Sequence, residues 1–442
     1  MRKVLIISPH FPPINAADMH RVRQSLPYFK EMGWEPITLA VAPKFVEGSR
    51  DEHLLETIPA DVEIHRLSAL DYHWTRKFGL GSVALRSVEA YRRAGDALLR
   101  QGDIDLVYFS TTAFQVIPLG RYWKARFGVP YVIDMQDPWR SDHYLDVPPD
   151  ERPPKFWLMY QLERVLEPLA MNAVDGIISV SEGYCDVLQE RYDQVVEERC
   201  RVIPFGGAEI DFDVLDRLSD LENTFFDPED GLVHAVYVGR GGHDMALAAR
   251  AIFEALARGR AERPDLFDRV RMHFIGTDYA ADDRAKKTLQ PIAEACGVGA
   301  FVHEYPARVS YFTALHLLRE ADMLVLPGST DPAYTASKLY PYILARRPLL
   351  AVFNRQSSVV DVLEKTGAGR AVTFDTREKK EGVRDRVYTT WSSMLTRIPY
   401  EPETDWTAFE PYSAREMTRR QTTFFDWVLQ ARTENDGTPL TY

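Results

Sequence analysis

The sequence predicts an α/β protein of two successive parallel-sheet domains facing a central cleft, and three observations lead there. Short apolar runs alternate with stretches of helical periodicity along nearly the whole chain. Two of those runs, Lys3–His10 and Val233–Arg240, each open into a polar turn followed by a helix. A poorly patterned acidic stretch, 207–231, lies between them. In open parallel sheets ligands bind outside the carboxyl ends of the strands, so each opening turn is a candidate binding place.

At 442 residues the chain exceeds one hydrophobic core and suits two domains of about 200 residues. Its 45% hydrophobic and 27% charged residues are those of an ordinary globular protein. A net charge of −12 argues against a nucleic-acid partner, which needs a broadly basic face. The three cysteines, Cys185, Cys200 and Cys296, have no C-x-x-C spacing, which argues against a zinc or disulfide framework and for a reducing, cytoplasmic setting. The opening apolar run, Val4–Ile7, is too short for a signal peptide, and no stretch reaches the roughly 18–20 apolar residues of a membrane span. Segment 71–100 carries Trp74, Arg76, Lys77, Arg86, Arg92 and Arg93. It reads either as an ordinary surface helix or as a peripheral contact with the inner face of a membrane.

In the first domain, 1–206, strands are expected at 3–8, 36–41, 62–67, 105–109, 130–134, 176–180 and 201–204, and helices at 18–32, 83–101, 112–127, 155–172 and 182–193. The run 105–109 is continuously apolar after one acid, as a strand covered on both faces should be. Segment 175–181 repeats that pattern, with Ser181 placed to cap the next helix. The linker is 207–231. In the second domain, 232–410, strands are expected at 233–238, 270–275, 322–326, 348–353 and 370–374. Helices fall near 244–258, with Asp244 as cap, and near 284–296, 309–320, 338–346 and 357–366. Residues 377–387 mix both signs of charge and read as a solvated helix face. The final segment, 411–442, contains an amphipathic helix bearing Met417, Phe424, Phe425, Trp427 and Val428. It must bury that face, either on its own domain or back on the first.

Four places could carry chemistry. The turn after the first strand has no glycine, which excludes a dinucleotide fingerprint. It does present His10, Asn15 and Asp18, which either touch substrate or serve as turn and cap residues. After the strand 233–238, Gly239, Gly241 and Gly242 let backbone amides approach a ligand at a helix N-terminus, and Arg240 adds a planar fork suited to phosphate oxygens. A flexible turn with a solvated arginine is the alternative. Lys338 lies in the first turn of a helix that Ser337 can cap. A cation there opposes the helix macrodipole, a conflict removed by a bound anion or by pointing the side chain into water. Finally, Asp134–Arg140 contains two carboxylates and Trp139, which read as a sugar-binding wall or as helix caps. No cluster with metal-ligand spacing is present in the sequence.

Taken in order, these segments resemble a GT-B glycosyltransferase of the family 4 type over nearly the whole chain. Ile-Ile-Ser-Pro-His-Phe-Pro-Pro (6–13) resembles that family's first strand and loop. Segments 175–181 and 201–207 resemble its "ad-x-ii-x-vS" and "viPnG" motifs, and 236–240 resembles the strand before the diphosphate loop. Segment 337–345 resembles its "SK-x-x-EY-x-A" helix. The resemblance implies two Rossmann-like domains and transfer of a sugar, with retention, from a nucleotide-diphosphate donor to a saccharide or lipid-linked acceptor in bacterial polysaccharide assembly. No cofactor and no metal are implied. Arg240 and Lys338 would neutralise the leaving diphosphate, with Asp137 as a third catalytic candidate. Gly239, Gly241, Gly242, His243, Asp331, Ser337 and Tyr340 would line the donor, and His10, Asn15 and Asp18 the acceptor. The chain departs from the pattern in three places. Asn15-Ala16-Ala17 replaces the loop glycines, Met245 stands where a lysine is usual, and the E-x7-E glutamates fall on Ala333 and Pro341, leaving Asp331 as the nearest acid. Two alternatives therefore stand beside transfer: a non-catalytic protein of this fold that binds a sugar nucleotide, and a sugar-nucleotide epimerase of this fold.

Overall fold

The computed structural model describes residues 1–78, 81–142, 145, 148, 152, 156–278, 284–331, 337–375 and 378–436. It divides into two compact units, one comprising Met1–Gly206 and the chain from Ala414, the other Gly207–Ser413.

The first unit is built on seven parallel strands: β1 (Arg2–Ile7), β2 (Trp34–Val41), β3 (Glu63–Leu67), β4 (Leu106–Ser110), β5 (Tyr131–Met135), β6 (Gly176–Ser179) and β7 (Cys200–Val202). Their order is β3-β2-β1-β4-β5-β6-β7. Val4–Ile7 and Leu106–Phe109 are fully buried, as expected of central strands covered by helices on both faces. The order reverses between β1 and β4, so the segments leaving these strands diverge and open a crevice at their carboxyl ends.

The long helix Ala414–Asp436 completes this unit. Phe425 is buried with its ring 5.5 Å from Trp34 and 5.0 Å from Tyr108. Gln421 donates to Ser25 Oγ at 2.9 Å, and Asp426 pairs with Arg2 and accepts from the Trp34 indole at 3.1 Å.

The second unit has six parallel strands: β8 (Val233–Val238), β9 (Val270–Ile275), β10 (Val302–Tyr305), β11 (Met323–Pro327), β12 (Leu349–Asn354) and β13 (Arg370–Phe374). Their order, β10-β9-β8-β11-β12-β13, puts the reversal between β8 and β11.

Several local expectations need correction. Strand β10 was not anticipated, because His303 and Glu304 break its apolar pattern; it is an edge strand, where polar residues are tolerated. Helix 18–32 shrinks to a 3-10 turn Ala17–Met19 and the helix His20–Ser25, since Pro27 has no N–H to continue the helical hydrogen bonds beyond Leu26. Helix 112–127 begins only at Leu119, behind Pro118. Helix 284–296 is confined to Gln290–Ala295, whose start is capped by buried Glu304 accepting from the Thr288, Leu289 and Gln290 amides. The stretch 207–231 carries a helix, Glu209–Leu215, tied to the second unit by a Tyr311–Asp211 hydrogen bond of 2.6 Å. Helix Lys380–Leu395 is not simply solvated: Val383, Val387 and Trp391, one turn apart, are buried. Residues 376–377 lie outside the described residues. Ser181 occupies the N-cap of Glu182–Arg191, yet its hydroxyl makes no capping bond.

Candidate functional site

In the second unit the turn after β8 is knitted to its neighbours at the strand-order reversal. Gly239 N–H donates to Ile275 C=O and Gly241 N–H to Thr277 C=O, at 2.9 and 2.7 Å, so the glycine turn is an extension of the sheet. Arg240 is held in a two-pronged pair with Asp244, at 2.9 and 2.7 Å. Asp244 therefore does not cap the following helix. Its carboxyl is lowered chiefly by the Arg240 hydrogen bonds, with help from the Ser329 hydroxyl beyond β11. Thr330 N–H donates to the Asp244 carbonyl at 2.9 Å, closing the link between the two turns.

Lys338 completes this group. Its chain segment is tied to β8 because the Tyr342 hydroxyl accepts from Val238 N–H at 2.7 Å and donates to Val238 C=O at 3.1 Å. The Lys338 ammonium lies directly over Gly239, where an added Cβ would overlap it. It also sits 5.9 Å from the centre of the Tyr237 ring. Burial, followed by the charges of Arg240 and Arg308, lowers its pKa to about 7. Three basic side chains thus bear on one glycine-lined turn, and one is destabilised as a cation until a negative charge arrives.

In the first unit a second polar cluster occupies the β1/β4 reversal. The His10 Nδ1 lies 3.0 and 2.9 Å from the two oxygens of Asp18, which is 3% exposed. Asp18 also accepts from the Thr111 hydroxyl and the Thr112 amide, both at 3.0 Å, and from the Thr112 hydroxyl at 3.2 Å. The Ser8 hydroxyl bonds the His10 carbonyl at 2.8 Å, and Phe11 next to it is fully buried. Burial works against a charged His10, but the hydrogen bond and charge of Asp18 outweigh it and raise the pKa. Asp137, at the surface beyond β5, is pushed up by desolvation and by the charge of Asp18.

Residues 21–206 match the family model of the Glycosyl transferase 4-like domain. A crystal structure of a glycosyltransferase from Rickettsia africae aligns over 97% of this chain and 99% of its own, with a TM-score of 0.56 at 11% identity. A UDP-forming α,α-trehalose-phosphate synthase from Burkholderia xenovorans covers 97% and 99%, with a TM-score of 0.59 at 12% identity. HepE from Anabaena, solved with UDP-glucose, covers 98% and 100%, with a TM-score of 0.53 at 13% identity. Comparison with curated protein sequences finds no match. The chain has the GT-B fold.

Within this GT-B framework the other sequence candidates fall in varied surroundings. His243, Asp331 and Ser337 are exposed, and the Asp331 amide donates to Ser329 Oγ at 3.0 Å. Tyr340 is buried, its ring 6.0 Å from Tyr412 and 6.3 Å from Phe409, so it packs into the unit rather than onto the glycine turn. Asn15 is held through its backbone, its N–H donating to Ser49 C=O at 2.9 Å. Pro341 lies inside the helix Leu339–Leu344, while Ala333 is outside the described residues. The sugar-wall reading of 134–140 does not hold. Asp134 is fully buried in an ion pair with Arg21 at 2.9 Å, and Trp139 is buried against Phe114 with rings 5.4 Å apart. Part of the basic charge of 71–100 is paired with acids: buried Arg86 pairs with Glu47, and Arg92 and Arg93 share Glu89. Residues 79–80 of that segment lie outside the described residues.

Among the described residues no helix is long and apolar enough to cross a membrane, and no group of His, Cys, Asp or Glu is arranged to hold a metal ion. Sequence reasoning missed Asp244 as the partner of Arg240, Thr111 and Thr112 as partners of Asp18, and Arg308. The threonines were legible as paired hydroxyls directly after an apolar strand. Arg308 was hidden because the strand leading to it, β10, was itself missed.

Proposed function

We propose that the protein transfers a sugar from a nucleoside-diphosphate donor to a saccharide or lipid-linked acceptor. The observation that carries this reading is the Lys338 ammonium lodged over Gly239, beside Arg240 and under the influence of Arg308. Such a group of cations, one of them partly desolvated, is matched by a diphosphate more readily than by a neutral ligand. During transfer the bond from the anomeric carbon to the diphosphate breaks and negative charge grows on the leaving oxygen. Arg240 and Lys338 would stabilise that charge, with the Gly242 amide assisting; the Gly241 amide is already spent on Thr277 C=O. His243, Asp331 and Ser337 are candidate donor contacts, while His10, Asn15, Asp18 and Asp137 belong to the acceptor side. Uridine is the base of choice, because HepE was solved with UDP-glucose and the Burkholderia enzyme is UDP-forming. Peripheral membrane contact, suited to a lipid-linked acceptor, would use exposed Leu70 and Trp74.

The test is nucleotide release from a panel of nucleotide sugars, each with and without saccharide and lipid-linked acceptors. Acceptor-dependent release supports transfer. Pro341, in place of the usual ribose-binding glutamate, keeps a second reading in view. Tight binding of a nucleotide sugar without any turnover would identify a non-catalytic binder and end the transfer reading. A new donor isomer formed with no acceptor present would identify an epimerase instead.

A further inference from the structure

The second unit holds a cavity that the donor reading does not use. Its volume is about 890 Å³, within the size range of small-molecule sites. The lining comes from chain on the amino-terminal side of the sheet. Asp322 immediately precedes β11, Arg319 ends the helix that leads into β11, and Arg347 stands two residues before β12. The glycine turn leaves the carboxyl end of β8, so the length of the parallel strands, roughly 15–20 Å, separates the two places. Ligands of open parallel sheets bind at the carboxyl ends, and this cavity lies at the other edge.

Five carboxylates and three guanidinium groups line it, together with Tyr400 and Trp406. Some of that charge is already paired: Arg319 meets Asp216 at 2.9 Å, and Asp322 accepts from the His234 amide at 2.8 Å. Glu209 and Asp213 lie four residues apart on one exposed face of the helix Glu209–Leu215. Their side chains make no hydrogen bond or ion pair among the described residues. Arg346 is the informative member. It follows the helix Leu339–Leu344 and its cap Ala345 with φ 57°, a left-handed conformation in which glycine is the usual residue. An arginine accepts backbone strain there, and what it gains lies in its side chain. The guanidinium sits 4.8 Å from the centre of the Trp406 ring and 3.5 Å from Glu401. A planar donor, a carboxylate and an indole are thereby gathered on one wall.

We propose that this cavity is a carbohydrate site that holds a neutral oligosaccharide away from the glycine turn. A polyanion would meet the five carboxylates, and a polycation the three guanidinium groups. An apolar ligand would strip water from charged groups without replacing their hydrogen bonds. A neutral glycan avoids all three conflicts. Each of its hydroxyls both donates and accepts, so it answers carboxylate and guanidinium alike. The C–H faces of its rings suit the flat surfaces of Trp406 and Tyr400. That this glycan is the acceptor or product of transfer rests on the transfer reading above, whereas the binding does not. A saccharide chain anchored here stays with the protein between successive transfers.

The experiment screens the full-length protein against an array of neutral, acidic and amino oligosaccharides. Titration calorimetry then measures affinity for the best-bound neutral one, and for UDP. Arg346→Gly should weaken glycan binding about tenfold or more and leave UDP affinity unchanged. Its thermal midpoint should be equal or higher, because glycine fits the left-handed turn. Asp213→Ala, an exposed helix position, should weaken glycan binding about threefold or more, and it decides alone if Arg346→Gly lowers the midpoint. Binding of no neutral oligosaccharide, binding confined to charged glycans, or unchanged affinity in Asp213→Ala overturns the proposal, and UDP binding that persists leaves the donor site standing. Glycan binding that depends on these residues in a protein that transfers no sugar keeps this site and ends the transfer reading instead.

Discussion

Asp244 grips Arg240 through both terminal guanidinium nitrogens. The pair fixes the fork at the end of β8 before any ligand arrives, which lowers the ordering cost of binding an anion there. Arg240→Ala is expected to weaken nucleoside-diphosphate binding by about 1–3 kcal/mol, the range of a charge-assisted hydrogen bond. Titration calorimetry checks this, and an unchanged affinity removes Arg240 from the donor site.

Lys338 makes binding pH-dependent in a definite direction. Its folded pKa, near 7, lies below the ordinary lysine value, so the group is largely neutral from about pH 8 upward. A bound diphosphate favours the charged form and raises that pKa. Binding at pH 8–9 should therefore take up a proton, seen as a dependence of the calorimetric heat on the ionisation enthalpy of the buffer. Lys338→Met should abolish the uptake, and the same uptake in that variant would assign it elsewhere.

Gly239→Ala tests the packing of that lysine. The new methyl would occupy the place of the ammonium and press on the Tyr237 ring. The expected result is a diphosphate affinity reduced about as much as by Lys338→Met, with the thermal midpoint nearly unchanged. Undiminished affinity would show that Lys338 need not lie over the turn.

A histidine ladder should make the second unit acid-sensitive. His273 is buried, with Nε2 3.0 Å from His234 Nδ1 and its ring stacked 5.4 Å from His303. Burial, then the charges of His234, His303 and Arg271, lower its pKa to about 3, against the opposing charge of Asp230. The unfolded chain takes up a proton near 6.5 and the folded one does not. Stability is therefore intact above pH 6.5 and is lost as pH falls from there toward 3, by up to about 1.4 kcal/mol per unit. Urea midpoints for the wild type and His273→Phe should converge in slope only above that window. Parallel slopes between pH 4 and 6 would clear His273.

Phe425→Ala should destabilise the first unit by about 3–5 kcal/mol, because a fully buried ring leaves a cavity among Trp34, Tyr108 and Phe29. Urea unfolding followed by tryptophan fluorescence measures this. A loss under about 1 kcal/mol would mean that the helix is only loosely docked.

Much of the scaffold was legible because its strands are short and mostly apolar: the expected 233–238, 270–275 and 370–374 coincide with β8, β9 and β13. Polar edge strands carry no such signal, which is why Val302-His-Glu-Tyr is missing from the expected strands. Helices were overextended where Pro27 and Pro118 limit them, since periodicity continues through residues that backbone sterics exclude from a helix. In the candidate sites, residue types on glycine turns and strand ends could be read, but pairings could not. Arg240 with Asp244 is a local relation four residues apart, whereas Asp18 with Thr111 joins residues far apart in sequence that only the β1/β4 neighbourhood brings together. Asp134 and Trp139 misled for the opposite reason, because a carboxylate and an indole look alike in sequence whether they bind a ligand or fill a core.

The helix from Ala414 seals a surface made by the chain's earliest strands. During synthesis those strands emerge before the whole second unit, whereas the residues that cover Trp34 and Tyr108 leave the ribosome only after it. The amino-terminal half must wait, incomplete and partly uncovered, while the other half is made. A nascent chain stalled before Phe425 should therefore be a chaperone client and protease-sensitive in its oldest part.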